Sequence, residues 1–133
     1  MNKELVNLIK IPKISDPRGN LAIIEKDALP FTFKRIYYLF DVPSGTYRGG
    51  HSHIVQQEFL IALSGSFNVI LDNGSIKEEI TLNNPILGLK IDAGVWRELT
   101  NFSSGAVCLV ISSDVFDEAD YIRDYDEFLK SKR

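Results

Sequence analysis

Cysteine is almost missing from this chain: among 133 residues only Cys108 is one. A single thiol cannot build an internal disulfide framework, which argues against a small secreted scaffold and fits a reducing cytoplasm. Cys108 sits in the apolar run AVCLVI, where a buried structural thiol is a simpler reading than a nucleophile. Long apolar runs are missing too. None is long enough to span a bilayer, and the opening MNKELVNLIK lacks the apolar core of a signal peptide. Nor is there an excess of basic charge. The formal net charge of −3 gives no footprint for nucleic acid or for an anionic membrane, so neither partner is expected. The expectation is a soluble cytoplasmic protein of one domain, 1–133, long enough to bury roughly two thirds of its unfolded surface.

Helical periodicity is also scarce. What is present is a series of short β signals: 6–11, 20–25, 34–40, 46–53, 58–63, 66–71, 76–82, 86–91, 96–101 and 106–112. Turn residues separate them, including Asp16-Pro17-Arg18-Gly19, Pro43-Ser44-Gly45, Asp72-Asn73-Gly74 and Ser103-Ser104-Gly105. Asn73-Gly74 between NVIL and SIKEEI is a two-residue hairpin signal. Strands at such spacing predict an all-β sandwich or barrel. Only the tail, 117–130, has helical spacing, with Ile122, Tyr125, Phe128 and Leu129 able to share one face. Its acidic residues are most simply a solvated face.

Histidine occurs twice, and both copies fall in GTYRGGHSHIVQQEFLIALSG, 45–65. On a strand His51 and His53 project from one face, about 7 Å apart, and Glu58 follows a short turn that can return it to the same place. This spacing resembles the first motif of the cupin superfamily of small β-barrels. The second cupin motif ends in proline-x-glycine, two residues, histidine, three residues, asparagine. Here Gly94 and Asn101 match, but Asp92 replaces the proline and Arg97 the histidine. His51, His53 and Glu58 form a two-histidine, one-carboxylate set of the kind that holds iron. A guanidinium has no lone pair to give and repels a divalent ion, so the pattern favours an anionic, oxygen-rich substrate over a metal.

RGGHSH at 48–53, LSGSFNVILDNG at 63–74, AGVWRELTNFSSGAVCLVISSD at 93–114 and DEADYIRDYDEF at 117–128 together resemble the nucleotide-sugar 3,4-ketoisomerases. The resemblance spans nearly the whole chain. It implies a cupin-type antiparallel β-barrel (jelly roll) with a short C-terminal helix, and no metal or other cofactor. It implies a homodimer of the domain-swapped kind, and action on dTDP-4-keto-6-deoxyglucose on the way to dTDP-3-amino-3,6-dideoxyhexoses of lipopolysaccharide or other surface glycans. The family pattern usually runs Glu-Gln after the histidine pair, where this chain has Gln57-Glu58.

The chemistry suits these residues. Moving a ketone from C4 to C3 takes the acidic proton from C3, passes through an enediolate and returns a proton to C4. Histidine titrates near working pH and fits this task. His51 is assigned as the base, as the resemblance implies, with His53 holding or relaying the proton between O3 and O4. Tyr37 is assigned to stabilise the enediolate by a hydrogen bond. Arg18 and Arg48 would anchor the diphosphate, with Glu58, Trp96 and Arg97 as further substrate contacts. Three other readings stay open: a deoxysugar 3,5-epimerase-type cupin, a metal-dependent cupin dioxygenase, and a non-catalytic sugar-binding cupin.

Overall fold

The computed structural model describes residues 4–133, and every segment expected as a strand forms one. The strands make two five-stranded antiparallel sheets that face each other. In the first, β1 (Asn7–Lys10), β9 (Leu87–Ile91), β6 (Glu58–Ser64), β11 (Val107–Ser112) and β4 (Arg35–Leu39) lie in that order. In the second the order is β12 (Tyr121–Ile122), β5 (Arg48–His53), β10 (Trp96–Thr100), β7 (Phe67–Asp72) and β8 (Lys77–Leu82). The architecture is the antiparallel cupin barrel expected, with one short helix, α1 (Tyr125–Ser131), at its C-terminal end.

Alternation fills the barrel. Phe67, Val69 and Leu71 of β7 point inward, against Leu60 and Ala62 of β6, Leu89 and Ile91 of β9, and Cys108 and Val110 of β11. The β6 run FLIAL is apolar without alternation because its other face is covered as well. Phe59 and Ile61 join Ile11, Leu29 and Ile111 in a second cluster outside the first sheet. Gly88 lies under that cover, where an added Cβ would sit 2.2 Å from the Phe59 ring. Cys108 is buried, and burial, with the Glu58 charge adding to it, pushes its thiol up to about 12, which leaves it inert.

Two elements depart from expectation. β2 (Lys13–Asp16) lies where no strand is expected, its last residue inside the expected turn Asp16–Gly19, and it pairs with β3 (Gly19–Ala22) in a hairpin closed at Pro17-Arg18. The tail is not one helix over 117–130. Glu118–Asp120 is a 3-10 turn capped by Asp117, Tyr121 and Ile122 pair with His53 and Ser52 at the edge of β5, and α1 starts only after its cap, Asp124. Pairing with an open sheet edge outweighs the weak preference carried by helical spacing.

Candidate active site

Strand register brings the polar residues together. Across the first sheet Ser112 stands opposite both Arg35 and Glu58, and two residues along β4 Tyr37 stands opposite Val110. Across the second, His51 stands opposite Arg97, and His53 opposite Tyr121. A register irregularity on β10 between Arg97 and Leu99 matches Gly49, whose φ of 82° places β5 in a conformation glycine adopts without strain. The two inner faces enclose a cavity of about 320 Å³ between the sheets. Tyr37, Glu58 and Arg35 line it from one side, and Arg48, His51 and Arg97 from the other.

Glu58 is the hub of one wall. Its Oε1 accepts from Arg97 Nη1 at 2.5 Å, and its Oε2 accepts from the hydroxyls of Tyr37 (2.9 Å) and Ser112 (2.8 Å). Arg97, 2% exposed, also donates to the Val95 carbonyl through Nε and Nη2. Burial alone would raise the Glu58 carboxyl; the His53 imidazole, the Arg97 cation and the Ser112 hydroxyl outweigh it and hold the group below the usual carboxylate range. Burial first, then the Glu58 charge and hydrogen bond, raise Tyr37, so its phenol keeps its proton.

The two histidines sit differently. His51 lines the cavity, and its buried Nε2 has no hydrogen-bond partner. Burial, then the charges of Arg97 and His53, push it down to about 3, so it is a neutral imidazole at ordinary pH. His53 is fully buried behind it and does not line the cavity. Its ring meets His51 edge-on, with centroids 4.9 Å apart. Its Nδ1 lies 3.0 Å from Asp120 Oδ2, and its Nε2 is 3.6 Å from Glu58 Oε1, longer than a hydrogen bond.

The remaining predicted residues divide. Arg48 lines the cavity. Glu58 rather than Gln57 faces it, which answers the order of that pair in this chain. Trp96 does not line it. Its indole donates to Glu98 and packs at 5.3 Å and 5.6 Å against the rings of Tyr125 and Phe128, beneath α1. Arg18 lies on the turn of the exposed hairpin, its side chain 90% accessible and paired with Asp16 at 2.7 Å. Sequence reasoning missed Tyr121, which lines the cavity with its ring 4.9 Å from His51 and 4.4 Å from His53, and Arg123, stacked over Tyr121 at 4.1 Å. It also missed Arg35, whose Nη2 donates to Gln56 at 3.1 Å. The only signal for the first two was DYIR inside the family-like tail, which was read as helix.

Ligand atoms of His51, His53 and Glu58 lie within 4.8 Å of one another, as a metal site requires. The donor set does not fit one. Both Glu58 oxygens already accept hydrogen bonds, one of them from a permanent cation that a divalent ion would have to displace.

The geometry agrees with what this chain is similar to. The family model described as FdtA, WxcM-like, C-terminal, matches residues 4–133. A relative from Aneurinibacillus thermoaerophilus, TDP-4-oxo-6-deoxy-alpha-D-glucose-3,4-oxoisomerase, is 47% identical over 124 residues, which are 92% of this chain and 89% of that one. The crystal structure of a sugar 3,4-ketoisomerase from Thermoanaerobacterium thermosaccharolyticum in complex with TDP is 42% identical, with a TM-score of 0.93, covering 96% of this chain and 94% of that chain. The same enzyme as a histidine-to-asparagine mutant in complex with TDP-4-keto-6-deoxyglucose is 40% identical, with a TM-score of 0.94, over 98% and 96% of the two chains.

Proposed function

From the premise that this chain belongs to the FdtA, WxcM-like C-terminal family, we propose that it moves the ketone of dTDP-4-keto-6-deoxyglucose from C4 to C3. It is a nucleotide-sugar 3,4-ketoisomerase, and the reaction is an internal redox exchange that needs no external electron carrier. The observation that carries the mechanism is His51: a neutral, buried imidazole on the cavity wall with a ring nitrogen left unpartnered.

His51 takes the proton from C3. The electron pair of that bond becomes the C3=C4 double bond, and the charge settles on O4. Its lowered proton affinity keeps the ring neutral and able to accept in the free protein, and the enediolate anion that forms beside it favours the imidazolium that burial opposes. Arg97 and Arg35 keep the cavity positive, which stabilises the same anion. The proton balance between O4 and O3 falls to Tyr37 and its hydrogen-bond partner Glu58, which line the cavity, while His53 stands behind. The imidazolium then returns a proton to C4, leaving an alcohol there and the ketone at C3. The face on which C4 is reprotonated sets a gluco or galacto product.

Arg48 lines the cavity without a hydrogen bond or ion pair to another described residue, and so is free to take a diphosphate oxygen. Arg18 can reach a substrate only if its hairpin docks elsewhere, and a homodimer supplies a place. An isolated two-stranded ribbon is marginal in water, and here Ile14 and Leu21 are 57% and 56% exposed on it. Exchange of that hairpin between two copies would cover both residues. The paired state of Glu58 supports metal-free catalysis, and the lone buried thiol supports a cytoplasmic setting. Among the described residues no helix is long and apolar enough to cross a membrane.

Incubation with dTDP-4-keto-6-deoxyglucose and NMR of the product tests the reading. It requires a 3-keto sugar; proton exchange at C5 instead would make the protein an epimerase, and binding without exchange a non-catalytic cupin.

A further inference from the structure

Behind the cavity one carboxylate is gripped on both oxygens and takes no part in the steps above. Asp120 is 8% exposed, in the 3-10 turn before β12. Its Oδ1 accepts from the Val55 amide at 2.8 Å, and its Oδ2 from the Gln56 amide at 3.1 Å. With a backbone donor on each oxygen the group stands as an acceptor toward a third neighbour. That neighbour is His53 Nδ1, 3.0 Å from Oδ2. An acceptor there fixes a proton on Nδ1 and turns Nε2 toward Glu58.

The backbone around it is fixed too. The Asp120 carbonyl accepts from the Ile54 amide at 2.9 Å, and the next residue, Tyr121, pairs with His53 in register. His53 is therefore held by Asp120 on its ring nitrogen and by Tyr121 on its face, and its own edge meets His51. We propose that Asp120 is a positioning residue of the isomerisation: by holding the Nδ1 proton and the ring plane of His53, it sets the aim of His51 at the sugar. The inference rests on His51 being the base. A purely structural Asp120 would instead tie residues 54–57 to the tail and affect only stability.

The chain has two histidines, so ¹⁵N NMR of histidine-labelled protein shows two imidazoles, told apart with His51→Asn. We expect His53 to carry a slowly exchanging proton on Nδ1. In Asp120→Ala that signal is lost and kcat falls about ten- to a hundredfold, the scale of lost second-layer partners, with dTDP affinity kept within about threefold. Should the alanine variant not fold, Asp120→Ser still withdraws the oxygen from His53 and is read in the same way. A proton on His53 Nε2 alone in the unaltered protein overturns the proposal. So does a folded variant with a lowered Tm and a kcat within about threefold of the original. The two readings fail separately: full turnover in His51→Asn removes the base, whereas an inactive His51→Asn beside a fully active Asp120→Ala removes only the role of Asp120.

Discussion

His51 and His53 stand two residues apart on one strand and face the same way, yet their surroundings have little in common. The region around His53 is closed: Asp120 on Nδ1, Tyr121 across the ring and Glu58 beyond, with no opening to the cavity. The region around His51 is open on one side, and among the described residues no carboxylate holds its ring as Asp120 holds that of His53. Neighbouring Glu58 shows the closed pattern again, with both oxygens taken. Both imidazoles keep a buried Nε2 without a hydrogen-bond partner, but only the His51 ring lines the cavity, whereas His53 is fixed through its other nitrogen.

The largest effect comes from removing the open member. His51→Asn should lower turnover by about two to four orders of magnitude, the usual weight of a general base, while dTDP binding and Tm stay close to their original values. Turnover within a few-fold of normal would erase the contrast between the two histidines and move the base to a tyrosine.

The closed wall breaks differently. Arg97→Met leaves the Glu58 carboxylate buried without its cation, and loss of one partner of such a pair costs about 3–5 kcal/mol of stability. Thermal unfolding should show a large fall in Tm, whatever remains of activity. An unchanged Tm would mean that the pair is not what organises the wall.

The smallest effect lies in the pH dependence of folding. An unfolded His51 binds its proton near 6.5, whereas the folded one declines it until about 3, so stability falls as pH drops through that window. Between pH 6.5 and 4.5 this adds a slope of at most about 1.4 kcal/mol per pH unit, which His51→Asn should lack. Below 4.5 the depressed Glu58 carboxyl adds loss of the same sign in both proteins. Denaturant titrations of the two proteins at several pH values measure the difference; parallel curves would show that His51 is not desolvated in the folded state.

Much of this was legible in the chain. Alternation and turn residues located the strands to within a few residues, and the spacing of His51, His53 and Glu58 located the site, because a strand fixes which side chains share a face. The roles within the site were less visible. Nothing local separates His51 from His53: the difference is made by Asp120 and Tyr121, more than sixty residues away in sequence, arriving on a 3-10 turn and a two-residue strand too short to carry a β pattern. Trp96 and Arg18 looked like substrate contacts from their neighbours in sequence. One is covered by α1, and the other sits at the tip of a hairpin with no contact to the barrel cavity in the chain itself. Glu58 was placed near the histidines, but its pairing with Arg97 across two sheets needed the closure of the barrel.

The role of His51 is read by following the proton itself. Substrate carrying deuterium at C3 is converted by the unaltered protein and by His51→Asn, and the label is traced by NMR. With His51 as the base, the unaltered protein removes the label from C3 and delivers it to C4 or to water as the 3-keto sugar forms, while in His51→Asn it stays on C3. Loss of the label at an unchanged rate in His51→Asn would contradict the account.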